Sequence, residues 1–176
     1  MSGTIGLIGC GSMGTALVRG IVSARLVRPS QIRVWDVRAA QRNRLVRQLK
    51  VRAARTAREA AGADLLLLAV KPQQMEGLLA EIRPAVGRRS LVVSVAAGIR
   101  TDWIARRLGG GIRVVRVMPN TPALVGAGMS VLSGGRSAKP VDLKRVERLL
   151  ACVGEVLRLP ERRMDAVTAL SGSGPA

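Results

Sequence analysis

Thr4-Ile5-Gly6-Leu7-Ile8-Gly9-Cys10-Gly11-Ser12-Met13-Gly14 is the stretch of this sequence that decides its fold. The short apolar run from Ile5 to Ile8 predicts a buried strand, and the apolar spacing after Gly14 predicts a helix. Between them stand three glycines with the spacing G-x-G-x-x-G. A strand before the glycines and a helix after them are the context that a dinucleotide-binding motif of this kind requires.

The three glycines have separate expected roles. Gly9 permits a tight turn, Gly11 has no Cβ that would keep a pyrophosphate away, and Gly14 lets the helix pack close to the strand. The N-terminus of the helix then offers free N–H groups and the positive end of its dipole to the phosphates. A chain with 20 glycines can also match this spacing by chance, so the motif needs support from the rest of the sequence.

A carboxylate follows at the place where such folds hold the adenosine ribose. Asp36 closes a second predicted strand, residues 31–36, about 20 residues beyond the glycine turn. An Asp at this point favours NAD, because it repels a 2′-phosphate, but Arg38, Arg42 and Arg44 follow closely, and an arginine can pair with that phosphate instead. The sequence leaves the choice between NADP and NAD open. Asp36 could also serve as the N-cap of the next helix.

The rest of the chain alternates strands with helices. Further strands are predicted over residues 63–70, 91–95 and 112–117, and a basic amphipathic helix over residues 39–49. This alternation predicts an α/β fold with a doubly wound parallel sheet, in which ligands bind beyond the carboxyl ends of the strands. The loops expected at that edge are residues 9–14, Asp36, residues 69–72, residues 96–98 and residues 118–121.

The last part of the sequence predicts a helix over residues 140–152 and a short strand over residues 155–159. The apolar residues expected on the inward face of that helix are Val141, Val146, Leu149 and Leu150. Pro160 begins a linker, and a helical pattern over residues 163–170 is interrupted by Ser171-Gly172-Ser173-Gly174-Pro175-Ala176. We therefore expect a nucleotide-binding domain over residues 1–160, followed by a linker and the start of a helical second domain over residues 161–176.

The formal net charge of +18 invites an interpretation as a nucleic-acid-binding protein. The basic residues are almost all arginines scattered along the chain, and the only aromatic residues are Trp35 and Trp103. Stacking platforms for single strands are therefore absent from the sequence. We expect no nucleic-acid partner, although a non-enzymatic basic binding module is kept as the alternative; the positive field can also attract anionic small molecules.

Other features of the composition restrict the classes of protein further. The chain has no histidine, and its two cysteines, Cys10 and Cys152, are far apart, so neither a disulfide framework nor a zinc site is expected. No apolar run is long enough to span a membrane, and no secretory signal precedes the first strand. The sequence therefore predicts a cytoplasmic protein without metal ligands or membrane contacts.

Five blocks of the sequence, in order along nearly the whole chain, resemble one family, the pyrroline-5-carboxylate reductases. The blocks are Ile8-Gly9-Cys10-Gly11-Ser12-Met13-Gly14, Ala69-Val70-Lys71-Pro72, Val93-Ser94-Val95-Ala96-Ala97-Gly98, Arg116-Val117-Met118-Pro119-Asn120-Thr121-Pro122 and Asp165-Ala166-Val167-Thr168-Ala169-Leu170-Ser171-Gly172-Ser173-Gly174-Pro175-Ala176. The resemblance implies a Rossmann-like, mostly parallel doubly wound sheet. It also implies hydride transfer from NAD(P)H to the ring C=N of 1-pyrroline-5-carboxylate, which gives L-proline.

The resemblance and the glycine motif together assign a set of cofactor-binding residues. Residues 69–71, with Ala97 and Gly98, would line the nicotinamide side, Thr56 would lie on the adenine side, and Asn120 at the junction of cofactor and substrate. The whole set is Ile8, Gly9, Cys10, Gly11, Ser12, Met13, Gly14, Asp36, Arg38, Thr56, Ala69, Val70, Lys71, Pro72, Ala97, Gly98 and Asn120. NADP is the expected cofactor, with NAD as the alternative.

The substrate side is implied by the resemblance alone. Ser171, Gly172, Ser173 and Gly174 resemble the family's turn next to the substrate carboxylate, and Glu161 matches an acidic position that faces the ring nitrogen. The family's second domain forms a homo-oligomer and carries the hydroxyl proposed to deliver a proton. Only its opening matches here, so we expect a truncated reductase with little or no turnover by itself, and we assign no catalytic acid. A related reductase with another substrate stays a second alternative.

Overall fold

The computed structural model describes residues 3–173, and the side chains of residues 3–170. Within that range the backbone forms one sheet of eight strands in the order β3-β2-β1-β4-β5-β6-β7-β8. The strands are β1 (Ile5–Ile8), β2 (Ile32–Trp35), β3 (Arg52–Ala53), β4 (Leu65–Leu68), β5 (Leu91–Ser94), β6 (Arg113–Pro119), β7 (Gly128–Gly134) and β8 (Gly154–Arg158). The first six are parallel, β7 runs antiparallel to β6, and β8 is parallel to β7. The mostly parallel doubly wound sheet predicted from the sequence is confirmed.

Helices cover both faces of this sheet. They are α1 (Ser12–Ser23), α2 (Ala39–Leu49), α3 (Ala57–Ala61), α4 (Met75–Ile82), α5 (Thr101–Arg107), α6 (Pro140–Leu150) and α7 (Met164–Ser173). Among these helices and the other described segments, none has the length and apolar character needed to cross a membrane.

The central strands bury both of their faces, which explains their continuous apolar sequence. In β4, Leu65 and Leu67 belong to one buried cluster with residues of α1, α2 and α6, whereas Leu66 and Leu68 belong to a second cluster with residues of α3, α4 and α5. This alternation follows the two-residue period of a strand. Two cores of Leu, Val, Ile, Ala and Met therefore hold the sheet between its helices.

One prediction about the inward face of α6 is wrong. Val146, Leu149 and Leu150 are fully buried as expected, but the side chain of Val141 is 65% exposed. The reason is that Asp142, only 3% exposed, occupies the inward position of the first turn, where its carboxylate accepts hydrogen bonds from the Arg113 guanidinium and the Lys139 N–H group. The buried face of α6 therefore includes Asp142, and the adjacent Val141 points to the exposed side of the helix. The helix also ends at Leu150 instead of residue 152.

The expected interruption after residue 170 is also wrong for the part that the structure describes. α7 continues through Ser171 and Gly172 to Ser173. A glycine in a helix interior costs about 1 kcal/mol relative to alanine, which weakens a helix without ending it. Gly174, Pro175 and Ala176 lie outside the described residues.

We expect Leu149→Ala to lower the free energy of unfolding by about 2–5 kcal/mol, because it removes a fully buried side chain and leaves a cavity. Val141→Ala, a truncation on the exposed side of the same helix, is the matched control and should change the free energy by less than about 0.5 kcal/mol. Urea unfolding followed by circular dichroism measures both. Equal losses for the two variants would contradict the burial pattern of α6.

Candidate functional site

The turn between β1 and α1 brings three stretches of backbone so close together that side chains are excluded. Gly9 has a φ of +102°, and a Cβ on it would lie 2.4 Å from the carbonyl oxygen of Ala69. A Cβ on Gly14 would lie 2.0 Å from the carbonyl oxygen of Gly9. Distances below about 3 Å do not occur for real Cβ atoms, so α1 and the end of β4 can approach the turn this closely only because both residues are glycine.

Gly11 faces the other way. It is the N-cap residue of α1, and within the described chain a Cβ on it would meet no heavy atom within 4 Å. The first turn of α1 therefore begins beside open space, with its N–H groups and the positive end of the helix dipole directed outward. This arrangement fits the pyrophosphate of a dinucleotide, which needs a cradle free of side chains at this point.

A cavity of about 540 Å³ opens at this edge of the sheet. Seven of the predicted cofactor residues line it, namely Gly9, Gly11, Asp36, Arg38, Ala69, Val70 and Lys71. Five further lining residues were not among the predicted cofactor-binding residues, namely Trp35, Val37, Gln74, Leu78 and Glu81. Two of these flank Asp36, and the other three stand at positions i, i+4 and i+7 along α4, from its N-cap to its last turn. Helical spacing after the predicted strand could have identified that face.

The other predicted cofactor residues do not line this cavity. Ile8, Cys10 and Gly14 are buried behind the glycine turn. The remaining ones are Ser12, Met13, Thr56, Pro72, Ala97, Gly98 and Asn120. Among them, Thr56 is the N-cap of α3, where its hydroxyl accepts the Glu59 N–H group at 3.1 Å. The amide oxygen of Asn120 accepts the Met129 N–H group at 2.8 Å, which ties the end of β6 to β7. The cofactor roles of all the predicted residues, inside and outside the cavity, stay predictions.

Asp36 holds the glycine turn in place. Its Oδ2 atom accepts the Cys10 N–H group at 2.7 Å and its Oδ1 atom accepts the Arg38 N–H group at 2.8 Å. Asp36 is not the N-cap of α2, as one interpretation of the sequence had it, because the cap residue is Arg38. The Arg38 guanidinium lies 3.9 Å from the Asp36 carboxylate and is itself largely exposed. This carboxylate therefore joins the ends of β1 and β2.

Both cysteine thiols are held neutral. Burial, and secondarily the charge of Asp36, raises the pKa of Cys10 to about 12, against the opposing effect of Arg42. Burial raises the pKa of Cys152 to about 11. Neither cysteine is in a disulfide, and the part of the chain that the structure describes contains no group of three His, Cys, Asp or Glu side chains that could hold a metal ion.

Glu161 lies away from the cavity and binds the first residue of α5. Its two carboxylate oxygens accept the Thr101 N–H group at 2.7 Å and the Thr101 hydroxyl at 2.6 Å. Thr101 follows the loop that contains Ala97 and Gly98, so the carboxylate connects the segment before α7 to the predicted nicotinamide side. The assignment of Glu161 to the substrate ring nitrogen stays a prediction.

A second contact fixes the start of α7 to the sheet. The Arg116 guanidinium donates to the Asp165 carboxylate at 2.8 Å, and this bond lowers the pKa of Asp165. Arg116 is only 2% exposed, whereas the Asp165 side chain is 73% exposed. A buried guanidinium needs such a partner, because an unpaired charge away from water is costly. The helix that carries Ser171, Gly172 and Ser173 is thus anchored at its first turn.

Residues 4–98, more than half of the chain, match the family described as NADP oxidoreductase, coenzyme F420-dependent. The chain belongs to this family. It is also 40% identical, over its whole length, to the pyrroline-5-carboxylate reductase of Escherichia coli, of which it covers 66%. The chain therefore spans just under two thirds of the length of this curated relative.

Solved structures show the same similarity. The pyrroline-5-carboxylate reductase of Coxiella burnetii superposes with a TM-score of 0.92 at 31% identity, over 99% of this chain and 66% of that one. The Plasmodium falciparum enzyme, solved with NADP bound, gives 0.85 at 27% identity, over 99% of this chain and 64% of that one. The Rossmann-like fold and the resemblance to pyrroline-5-carboxylate reductases are both confirmed.

We expect Glu161→Ala to destabilise the protein by about 1–3 kcal/mol, because it leaves the buried Thr101 N–H group without its acceptor. Glu155→Ala removes the same side chain from an exposed position in β8 and serves as the control. Thermal unfolding of both variants measures the difference. A loss no larger than that of the control would show that the Glu161 bonds add nothing to stability.

We expect both thiols to resist iodoacetamide in the native protein at about pH 8, because only the thiolate reacts and both pKa values lie well above that pH. The same shifts make stability decrease as the pH rises above the ordinary thiol value of 9.0, since the unfolded thiols ionise first. Mass spectrometry of native and urea-unfolded samples measures the labelling. Equal rates in both samples would contradict the burial of Cys10.

Proposed function

We propose that this chain forms the dinucleotide-binding part of a pyrroline-5-carboxylate reductase that reduces 1-pyrroline-5-carboxylate to L-proline with NADPH. The observation that carries the proposal is the cavity at the carboxyl edge of the sheet, where Gly11 leaves the N-terminus of α1 open. The 40% identity to the Escherichia coli enzyme over the whole chain supports the substrate assignment.

Each part of the site has a role that follows from its geometry. The N–H groups at the start of α1 would bind the pyrophosphate, and the closely packed turn at Gly9 would fix their direction. The exposed ammonium of Lys71 and guanidinium of Arg38 line the same cavity and would attract the anionic cofactor. The bound nicotinamide would supply the hydride, so the chain itself has to bind the cofactor and the substrate, orient them and exclude water from the site.

The substrate residues form the remaining part of the proposal. Glu161 would act from the segment that contacts Thr101, and Ser171, Gly172, Ser173 and Gly174 from the end of α7 onward. The division into a nucleotide-binding domain over residues 1–160 and the start of a second unit over residues 161–176 is supported by the change from sheet to helix after β8. A homo-oligomer and a cytoplasmic location belong to the same proposal and rest on the sequence arguments alone.

The test is the oxidation of NADPH, followed at 340 nm, with 1-pyrroline-5-carboxylate and with pyruvate at equal concentration. We expect oxidation above the enzyme-free rate, at most slow for this chain by itself, to require the cyclic imine, and we expect none with pyruvate, which offers a C=O bond instead. L-Proline in the reaction mixture, identified by mass spectrometry, is the second readout. Oxidation that depends on pyruvate alone, or that leaves no L-proline, would contradict the proposal.

A further inference from the structure

Positive charge is distributed unevenly over this protein. Basic residues occur along the whole chain, but the acidic residues that could balance them do not. Residues 25–58 contain eleven arginines and lysines and a single carboxylate, that of Asp36, so these 34 of the 176 residues hold a formal charge of +10 out of +18. We call the eleven residues the basic border; they are Arg25, Arg28, Arg33, Arg38, Arg42, Arg44, Arg47, Lys50, Arg52, Arg55 and Arg58.

The fold gathers the basic border at one end of the sheet. Residues 25–58 contain β2, α2 and β3, and β3 is the terminal strand. Arg33 and Arg52 are neighbours in register on the two strands, and they point away from the face that α2 covers, because Ile32 and Val34 occupy that face. Nine of the eleven residues are exposed, and Arg33 and Arg42 are half-buried. Positive groups therefore stand on both faces of the same end of the sheet.

These charges are not neutralised within the chain. Among the described residues of the basic border, only Arg38 lies within ion-pair distance of a carboxylate, at 3.9 Å from Asp36. That carboxylate is 7% exposed and already accepts two backbone N–H groups. Outside the basic border, six arginines pair with carboxylates, namely Arg100, Arg106, Arg107, Arg113, Arg116 and Arg158. Unpaired like charges repel one another, and an anionic partner would relieve that repulsion.

The chemistry of the basic border favours phosphates that are held along a rigid duplex. Ten of its eleven members are arginines, and the guanidinium fork binds phosphate oxygens through two parallel hydrogen bonds. A nucleic-acid duplex carries one phosphate charge per about 1.7 Å of its axis. An acidic protein segment would have to order flexible carboxylates against charges that are spread over two strands and a helix, which costs side-chain entropy.

Two other anionic partners fit less well. A membrane surface is bound through basic residues together with apolar side chains that insert between the lipids. Among the described residues 25–58, Val37 is the one exposed large apolar residue, and it lines the cavity beside the glycine turn. A single strand needs aromatic stacking platforms, whose absence is a reason that the sequence led us to expect no nucleic-acid partner. A duplex needs none, because its phosphates supply nearly all of the non-specific affinity.

We propose that the basic border is a second binding surface of this protein, which holds double-stranded nucleic acid by its phosphates and without sequence preference. The surface lies beside the cavity and shares only Arg38 with it. Binding there requires neither the dinucleotide nor the substrate, so this inference goes beyond the proposed function and does not depend on it.

The first experiment follows the fluorescence anisotropy of a fluorescein-labelled DNA duplex as the chain is added, at salt concentrations between about 50 and 200 mM. We expect the dissociation constant to rise about 10³-fold or more over that range, because about six or more phosphate contacts release their counterions. A second duplex of unrelated sequence should bind within about twofold of the first. No binding at the lowest salt concentration, or a rise of less than about tenfold, would overturn the proposal.

A border variant tests which residues bind the duplex. It carries the substitutions Arg47→Gln, Arg52→Gln and Arg55→Gln, all at exposed positions. We expect it to bind the duplex at least about tenfold more weakly at about 0.1 M salt. The slope of the logarithm of the dissociation constant against that of the salt concentration should fall by about 2–3, since each phosphate contact adds about 0.9. Arg47→Gln alone, in the last turn of α2, should lower the slope by about 1.

A control variant loses the same three charges elsewhere. It carries Arg136→Gln, Arg148→Gln and Arg162→Gln, which are exposed positions outside the basic border. Because the two triple variants have the same net charge, a difference between them reports the location of the binding surface. The control should change the dissociation constant by less than about twofold, since charges beyond about 10 Å are screened at this salt concentration. Equal losses would show that overall charge alone attracts the duplex, and the proposal would be wrong. Circular dichroism establishes that every variant is folded.

Competitors distinguish the other partners. Polyglutamate and vesicles that contain phosphatidylserine, at the same concentration of charge, should displace the labelled duplex less effectively than unlabelled duplex does. Stronger displacement by either would assign the surface to that class of partner and overturn the proposal. Saturating NADPH should leave the duplex bound, whereas release of the duplex by NADPH would place it in the cavity and contradict the proposal as well. A failure to bind the duplex leaves the proposed reductase function unaffected, because NADPH oxidation tests that function separately.

Discussion

The structure depends on the absence of two Cβ atoms. A side chain at Gly9 or Gly14 would overlap the carbonyl oxygen of Ala69 or of Gly9 itself, so α1, β1 and β4 could not meet as closely as they do. The same turn leaves the start of α1 open at Gly11, so one loop serves both the packing of the sheet and the candidate ligand site. The Asp36 carboxylate adds to this arrangement, since it fastens the turn to the end of β2.

The sequence predicted the elements best where a continuous hydrophobic pattern decides them. β1 and α2 begin and end at the predicted residues, and the parallel order follows from the alternation of strands with helices. Val141 shows where such a pattern fails: a helix turns an apolar residue outward when a paired carboxylate takes the inward position, and hydropathy assigns carboxylates to the surface. Burial of Asp142 depends on Arg113, which stands 29 residues away, beyond the reach of local periodicity.

The candidate site divides in the same way. Glycine spacing and strand ends predicted seven of the residues that line the cavity, including Gly9 and Gly11. They could do so because the carboxyl ends of parallel strands meet at one edge of the sheet. The direction of each side chain was not predictable, since it is set by partners far away in the sequence. Asp36 bonds to a residue 26 positions away, and Glu161 to one 60 positions away. From their positions in the sequence, Asp36 was assigned to the ribose of the cofactor and Glu161 to the substrate. In the structure, both carboxylates accept hydrogen bonds from other residues of the chain.

The two borders of the sheet have a consequence for how copies of this chain can meet. β3 has only two residues, and its Arg52 stands in register with Arg33, so two like charges lie side by side at that border. At the other border β8 carries exposed charges, among them Arg158, which pairs with Glu147. A short or charged border is a poor template for another strand. Fibrous growth by strand addition is therefore discouraged at either border of the sheet.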